Sequence, residues 1–154
     1  MSENNFGIVS DAIRDGEEIP KICGYKHGNK APDIGFENVP DMSKTIALIM
    51  DDPDAMKAVG KVWVHQINYS SWSIDDMTEY DSSEFDEIIS GKNDFGELGY
   101  GGPAPPDGRH TYIFKAYALD TELDLDEGYS KQELEDAMKG HILAEAKLTG
   151  TFAP

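Results

Sequence analysis

Apolar and polar positions alternate with a period of two through three long stretches of the chain, and that alternation predicts strands. From Lys44 onward, Ile46, Leu48 and Met50 interleave with Thr45, Ala47 and Ile49. Both faces are mostly apolar, which is the pattern of a central strand. It stops at Asp52-Pro53, because proline has no N–H to give to a ladder. Lys61 to Tyr69 is a second strand, rich in β-branched and aromatic residues, with Trp63, His65 and Ile67 assigned to one face. A third runs from His110 to Leu119, with His110, Tyr112, Phe114 and Ala116 on one face and Ile113 and Tyr117 on the other. The period then changes to that of a helix. Ser130-Lys-Gln-Glu133 is a capping box, and Leu134, Ala137, Met138 and Ile142 fall on one stripe. After the helix, Ala144, Ala146, Leu148 and Phe152 alternate with Glu145, Lys147, Thr149 and Thr151, which predicts a closing strand. Residues 1–40 are punctuated by Gly7, Gly16, Pro20, Gly24, Gly28, Pro32, Gly35 and Pro40 and read as short strands and turns. Mostly strands with one late helix predicts a mainly β fold, a sandwich or barrel with a helical appendage.

The chain of 154 residues is most simply one domain, 1–154. Its longest apolar run, Ile46 to Met50, is far short of the ~20 residues that span a membrane, so integral membrane association is not expected. The first residues lack the basic and apolar segments of a secretory signal, and the lone Cys23 cannot form an internal disulfide. A cytoplasmic location is the expectation. The net charge of −17 repels nucleic-acid phosphates and anionic lipid surfaces alike, which excludes nucleic acid as a partner. Part of that charge crowds one segment, Asp75, Asp76, Glu79, Asp81, Glu84, Asp86 and Glu87, expected to be a solvated loop. A protein this acidic needs local donors if it is to hold an anion.

Candidate donors exist. Trp63 with His65, and His110 with Tyr112, are spaced two apart in strands, so the members of each pair share a face. With Asp52, and with the loop Tyr100-Gly-Gly-Pro-Ala-Pro-Pro106, they could build one pocket. Three chemistries remain open to such a set. Imidazolium donors and the Tyr112 hydroxyl could bind a phosphate or carboxylate, with a nearby carboxylate keeping the histidine protonated. Two histidines and an aspartate could bind a metal. The same groups could serve acid–base hydrolysis. Asp52-Pro-Asp54 taken alone is a turn, in which an aspartate caps its own backbone. Gly99-x-Gly101-x-x-Ala104 formally fits a dinucleotide fingerprint, but Pro103, Pro105 and Pro106 prevent the helix that fingerprint requires. No paired-cysteine zinc signature, phosphate loop or nucleophile elbow is present. No cofactor, structural metal or catalytic residue is expected.

Asp52-Pro-Asp-Ala55, Trp63-Val-His65, Asp94-Phe-Gly, Gly99-Tyr-Gly-Gly-Pro-Ala-Pro-Pro-Asp-Gly108 and His110-Thr-Tyr-Ile-Phe114 occur in that order. With Arg14 to Pro20, Gly140 to Ala144 and Leu148-Thr-Gly150, the set resembles the phosphatidylethanolamine-binding protein family, in its prokaryotic Raf-kinase-inhibitor-like branch. The resemblance implies a two-sheet antiparallel β-sandwich with one or two flanking helices, including one near the C-terminus. It implies a ligand pocket for phosphate, acetate or a phospholipid headgroup, formed by Asp52, Trp63, His65, Gly102, Pro103, His110 and Tyr112. Met56, Gln66 and Thr111 depart from the residues usual in the family. The expected function is binding of a small anionic or phosphorylated ligand without catalysis. Inhibition of a kinase or protease through surface contact is the alternative, which would make a protein target the partner. A monomer, or a weak homodimer promoted by salt, is expected, since −17 per chain opposes self-association. If a histidine donor carries the binding, a neighbouring Asp52 raises its pKa, and affinity is highest in mildly acid solution.

Overall fold

Six strands of the computed structural model form one sheet, and the residues described are 5–72 and 88–154. In chain order the elements are β1 (Gly7–Val9), β2 (Glu17–Glu18), β3 (Gly35–Glu37), β4 (Thr45–Asp52), α1 (Ala55–Val59), β5 (Trp63–Ser71), β6 (Ile88–Ser90), β7 (His110–Leu119), α2 (Lys131–Met138) and β8 (Ile142–Phe152). The sheet order is β2-β8-β7-β4-β5-β6, and β1 pairs with β3 in a separate two-stranded ribbon. Every residue of β4 is buried, as expected for a strand apolar on both faces and flanked by β5 and β7. The sandwich is not wholly antiparallel, because β2 lies parallel on β8. The acidic segment from Asp75 to Glu87 lies outside the described residues.

Two apolar layers cover the sheet. On one face Ile46, Leu48, Met50, Phe114 and Leu148 pack against Ile8, Ile34 and Phe36 of the β1–β3 layer. On the other, Ala47, Ile49, Val64, Ile67 and Tyr69 pack against Tyr129, Leu134 and Met138. Helix α2 opens as its sequence requires: Glu133 N–H donates to Ser130 Oγ at 3.1 Å, and Ser130 N–H donates to Glu133 Oε1 at 2.9 Å. Such a cap is worth about 1 kcal/mol. The predicted stripe runs one turn too far, however. The helix ends at Met138, and Ile142 is an exposed residue that begins β8. Among the described residues no helix is long and apolar enough to cross a membrane.

A second difference bears on function. Asp52 pairs with Trp63 and Asp51 with Val64, but Met50 pairs with Gln66, so His65 is an extra residue in β5. This is a β-bulge, and it shifts the alternation by one. Trp63 and His65 stay on the Asp52 face, whereas Ile67 crosses to the helix side and packs with Val64. The predicted grouping of Ile67 with Trp63 and His65 is therefore corrected. Two backbone partners hold the bulge. Gly101 N–H donates to the His65 carbonyl at 2.8 Å and Asp94 N–H to the Val64 carbonyl at 2.9 Å.

Candidate functional site

The end of β4 and the beginnings of β5 and β7 meet at one end of the sheet, which brings Asp52, Trp63, His65, His110 and Tyr112 together. They line a cavity of about 190 Å³. Its walls are apolar: Ala55, Ala58 and Val59 of α1, Phe95 from the loop after β6, and Ala104 and Pro106. The pocket set predicted from shared strand faces thus converges.

His110 sits between two carboxylates. Its Nδ1–H donates to Asp52 Oδ2 and its Nε2–H to Asp107 Oδ1, both at 2.6 Å. Ionised carboxylates only accept, so both ring nitrogens carry protons and the ring is an imidazolium. Burial pushes its pKa down, but the bonds and charges of Asp52 and Asp107 outweigh burial and leave it raised. The other Asp52 oxygen accepts from Asp54 N–H at 3.0 Å, the self-capped turn read from the sequence.

His65 departs from expectation. Its Nδ1 lies 2.6 Å from the Gly101 carbonyl, which can only accept, so Nδ1 bears the proton. The ring is 2% exposed, and burial lowers its pKa despite the Gly101 carbonyl and the charge of Asp52. His65 is therefore a neutral imidazole whose Nε2 is an acceptor. Of the two histidines, only His110 has the raised pKa expected beside Asp52; at His65 desolvation outweighs attraction.

The donors lie elsewhere. The Tyr112 ring is fully buried, and burial, reinforced by the charge of Asp52, pushes its hydroxyl pKa far up, so the hydroxyl stays protonated. Among the described residues the buried Trp63 Nε1–H has no hydrogen-bond partner, and the Tyr112 hydroxyl, beside the Asp52 carboxylate and the Ala104 backbone, makes no close one. The aromatic rings hold these groups in place. Phe95 stacks on Tyr25 at 4.0 Å and meets Trp63 and His65 edge-on at 5.5 and 5.6 Å. Tyr112 meets His65 edge-on at 5.1 Å.

Gly102 and Pro103 do not line the cavity directly but stand behind it, where the Gly102 backbone acts on the His65 ring. Gly102 N–H donates to Asn29 Oδ1 at 2.7 Å, and the Pro103 carbonyl accepts from Tyr25 N–H at 2.9 Å. With Gly101 N–H bound to His65, both glycine N–H groups of the loop are spent on building the wall. Sequence reasoning missed Phe95 and the α1 residues as lining. It also missed Asn93, 3% exposed, which folds the loop carrying Phe95 by accepting from the Phe95 and Glu97 N–H groups and donating to the Gly99 carbonyl. The one available signal was the Asn-Asp-Phe-Gly run at 93–96, a turn sequence placed just before the wall. Among the described residues no group of three His, Cys, Asp or Glu side chains is arranged to hold a metal ion.

The two histidines should titrate on opposite sides of the ordinary imidazole value of about 6.5. His110, raised, adds stability that is fully present below about 6.5 and lost as pH climbs through its folded pKa. His65, lowered, adds stability that is present above about 6.5 and lost as pH falls through its folded pKa. An NMR titration of the imidazole protons should separate them, and Asp107→Asn should move the His110 midpoint down. Coincident midpoints for the two rings would contradict these environments.

A model of the family described as phosphatidylethanolamine-binding protein matches residues 9–153. A UPF0098 protein of Methanothermobacter thermautotrophicus is 41% identical over 151 residues, covering 96% of this chain and 98% of its own. One from Chlamydia muridarum is 39% identical over 147 residues, covering 94% and 97%. The crystal structure of CT736, a phosphatidylethanolamine-binding protein homolog from Chlamydia trachomatis, superposes with a TM-score of 0.82 at 35% identity, over 97% of this chain and 98% of the other. E. coli YbcL, described as a member of the mammalian family, superposes at 0.77 with 27% identity, over 96% and 97%.

Proposed function

We propose, for a chain that belongs to the phosphatidylethanolamine-binding protein family, that the cavity at the end of β4, β5 and β7 is a binding site for a small oxyanion, foremost a phosphoryl group. One observation carries this reading. The buried Trp63 Nε1–H borders the cavity with no protein acceptor among the described residues, and the Tyr112 hydroxyl beside it faces the Asp52 carboxylate and the Ala104 backbone. A buried donor without an acceptor costs about 1–3 kcal/mol, and an oxyanion offers acceptors to both. The positive charge of the His110 imidazolium beside them is more than offset by its two aspartates. The cavity is thereby suited to a weakly charged group. The apolar walls exclude water from part of the ligand and strengthen the few polar bonds made. Binding rather than catalysis is the reading, because the polar side chains of the cavity are engaged with protein groups: His110 with Asp52 and Asp107, and His65 with the Gly101 carbonyl.

Calorimetric titration with inorganic phosphate tests it. The wild type should bind, and Tyr112→Phe should bind about tenfold more weakly while its folding stability changes by no more than about 1 kcal/mol. Removing a hydroxyl that makes no close protein hydrogen bond should leave the fold intact. Absence of binding by the wild type, or equal binding by Tyr112→Phe, would refute the reading.

A further inference from the structure

The bulge at His65 also turns polar side chains toward the core. Beyond it Ile67 and Tyr69 face the helix layer, so Gln66, Asn68 and Ser70 face the β1–β3 layer. Their register partners on β4 are Met50, Leu48 and Ile46. Strand positions directly opposite one another share a face, so a polar row lies beside an apolar one. The two rows do not pack shut. Gln66, Asn68 and Ser70 line a cavity of about 180 Å³, and facing them are Ile46 and Leu48 of β4 and Ile34 and Phe36 of the β1–β3 layer. It shares no lining residue with the cavity at the end of β4, β5 and β7.

Its size suits a single ring, since an apolar cavity of about 150 Å³ already accepts benzene. Its charge suits a neutral molecule, because no ionisable side chain lines it. An ion entering it would exchange water for hydrocarbon with no opposite charge to meet. Its polar edge calls for a donor. Gln66 Oε1 is buried and has no hydrogen-bond partner among the described residues. An amide oxygen only accepts, so the missing group is an N–H or O–H. A water held there would turn its remaining hydrogen-bonding capacity on the apolar wall. A ring that carries one hydroxyl matches both sides of the cavity.

We propose that this cavity is a separate binding site, for a neutral, ring-sized apolar molecule with one hydroxyl group, whose O–H donates to Gln66 Oε1 while its ring lies against Ile34, Phe36, Ile46 and Leu48. The site is independent of oxyanion binding, since neither its residues nor its chemistry are shared. Gln66 is also one of the positions at which this chain departs from the residues usual in its family, so the acceptor that defines the site is particular to this chain.

Phenol and toluene, rings of nearly equal shape with and without the hydroxyl, test it at about neutral pH, where a phenolic hydroxyl of pKa about 10 is uncharged. In a methyl NMR titration of the full chain, phenol should shift the Ile34, Ile46 and Leu48 signals to saturation, while Ala58 and Val59 report separately on the other cavity. Gln66→Met keeps the length of the side chain and removes the acceptor. It loses no hydrogen bond of Oε1, so its methyl spectrum should otherwise match the wild type. Phenol should bind the variant about tenfold more weakly, the worth of one hydrogen bond, and toluene no more weakly than it binds the wild type. If phenol leaves the three methyl signals of the wild type unmoved, the cavity is closed or filled by water and the proposal falls. It falls equally if Gln66→Met leaves phenol affinity unchanged or weakens both probes alike, because the cavity then recognises no hydroxyl.

Discussion

Gly102→Ala should leave little folded protein. A Cβ at that position would lie 2.0 Å from the Cys23 carbonyl oxygen and 2.9 Å from the Tyr25 backbone nitrogen. These are backbone atoms and cannot swing away. The loop would have to lift, which would break the Gly102 N–H bond to Asn29, the Tyr25 N–H bond to Pro103 and the Tyr100 hydroxyl bond to the Cys23 carbonyl. The expected loss is about 4–5 kcal/mol, at the extreme for one substitution and comparable with the whole stability of many domains. Gly7→Ala is the control, since its new methyl meets only the flexible Glu37 side chain at 3.0 Å. Urea denaturation should show a large drop in midpoint for Gly102→Ala and a small one for Gly7→Ala. Equal midpoints would mean that the contact between the Gly/Pro loop and residues 23–29 is not tight.

Asp52→Ala is expected to have the second-largest effect, and its size should depend on pH. The carboxylate is 3% exposed and binds the His110 imidazolium, also buried at 4%. Removing one member of a buried ion pair typically costs about 3–5 kcal/mol, because the partner's charge is left uncompensated. Asp52 helps to raise the His110 pKa, so the wild type gains from this pair where the histidine is protonated. The deficit of the variant should therefore be full below about pH 6.5 and shrink as pH climbs through the raised pKa of His110. Chemical denaturation across that range measures it. A deficit independent of pH would show that Asp52 acts through its turn bond to Asp54 alone.

The strands carrying this site were legible because their chemistry is local. Proline ends β4, β-branched and aromatic residues make β5, and alternation places His110 and Tyr112 on one face of β7. The bulge at His65 was not legible. It is set by the register of β5 against β4 and by the backbones of Asp94 and Gly101, which are distant in sequence. For the same reason the sequence does not show which of the two histidines is charged: His110 is, and His65 is not. A neighbouring carboxylate is visible in a sequence motif, but the degree of burial that outweighs it is not. Gly102 and Pro103 stand in the motif that the resemblance marks for the pocket, and the Gly102 N–H and the Pro103 carbonyl tie that loop to Asn29 and Tyr25. Lys21 to Asn29, which carries no pocket residue, forms the platform on which that loop rests.

The most direct test of oxyanion binding is the indole N–H resonance of Trp63 during a titration with inorganic phosphate. The chain has two tryptophans, and Trp72 lies in the apolar core, so it serves as an internal reference. If the cavity takes an oxyanion on Trp63 Nε1–H, the Trp63 signal moves downfield and saturates while the Trp72 signal stays in place. In Tyr112→Phe the same movement should need about ten times more phosphate. A Trp63 signal that does not move, or that drifts in parallel with Trp72 without saturating, would contradict the site.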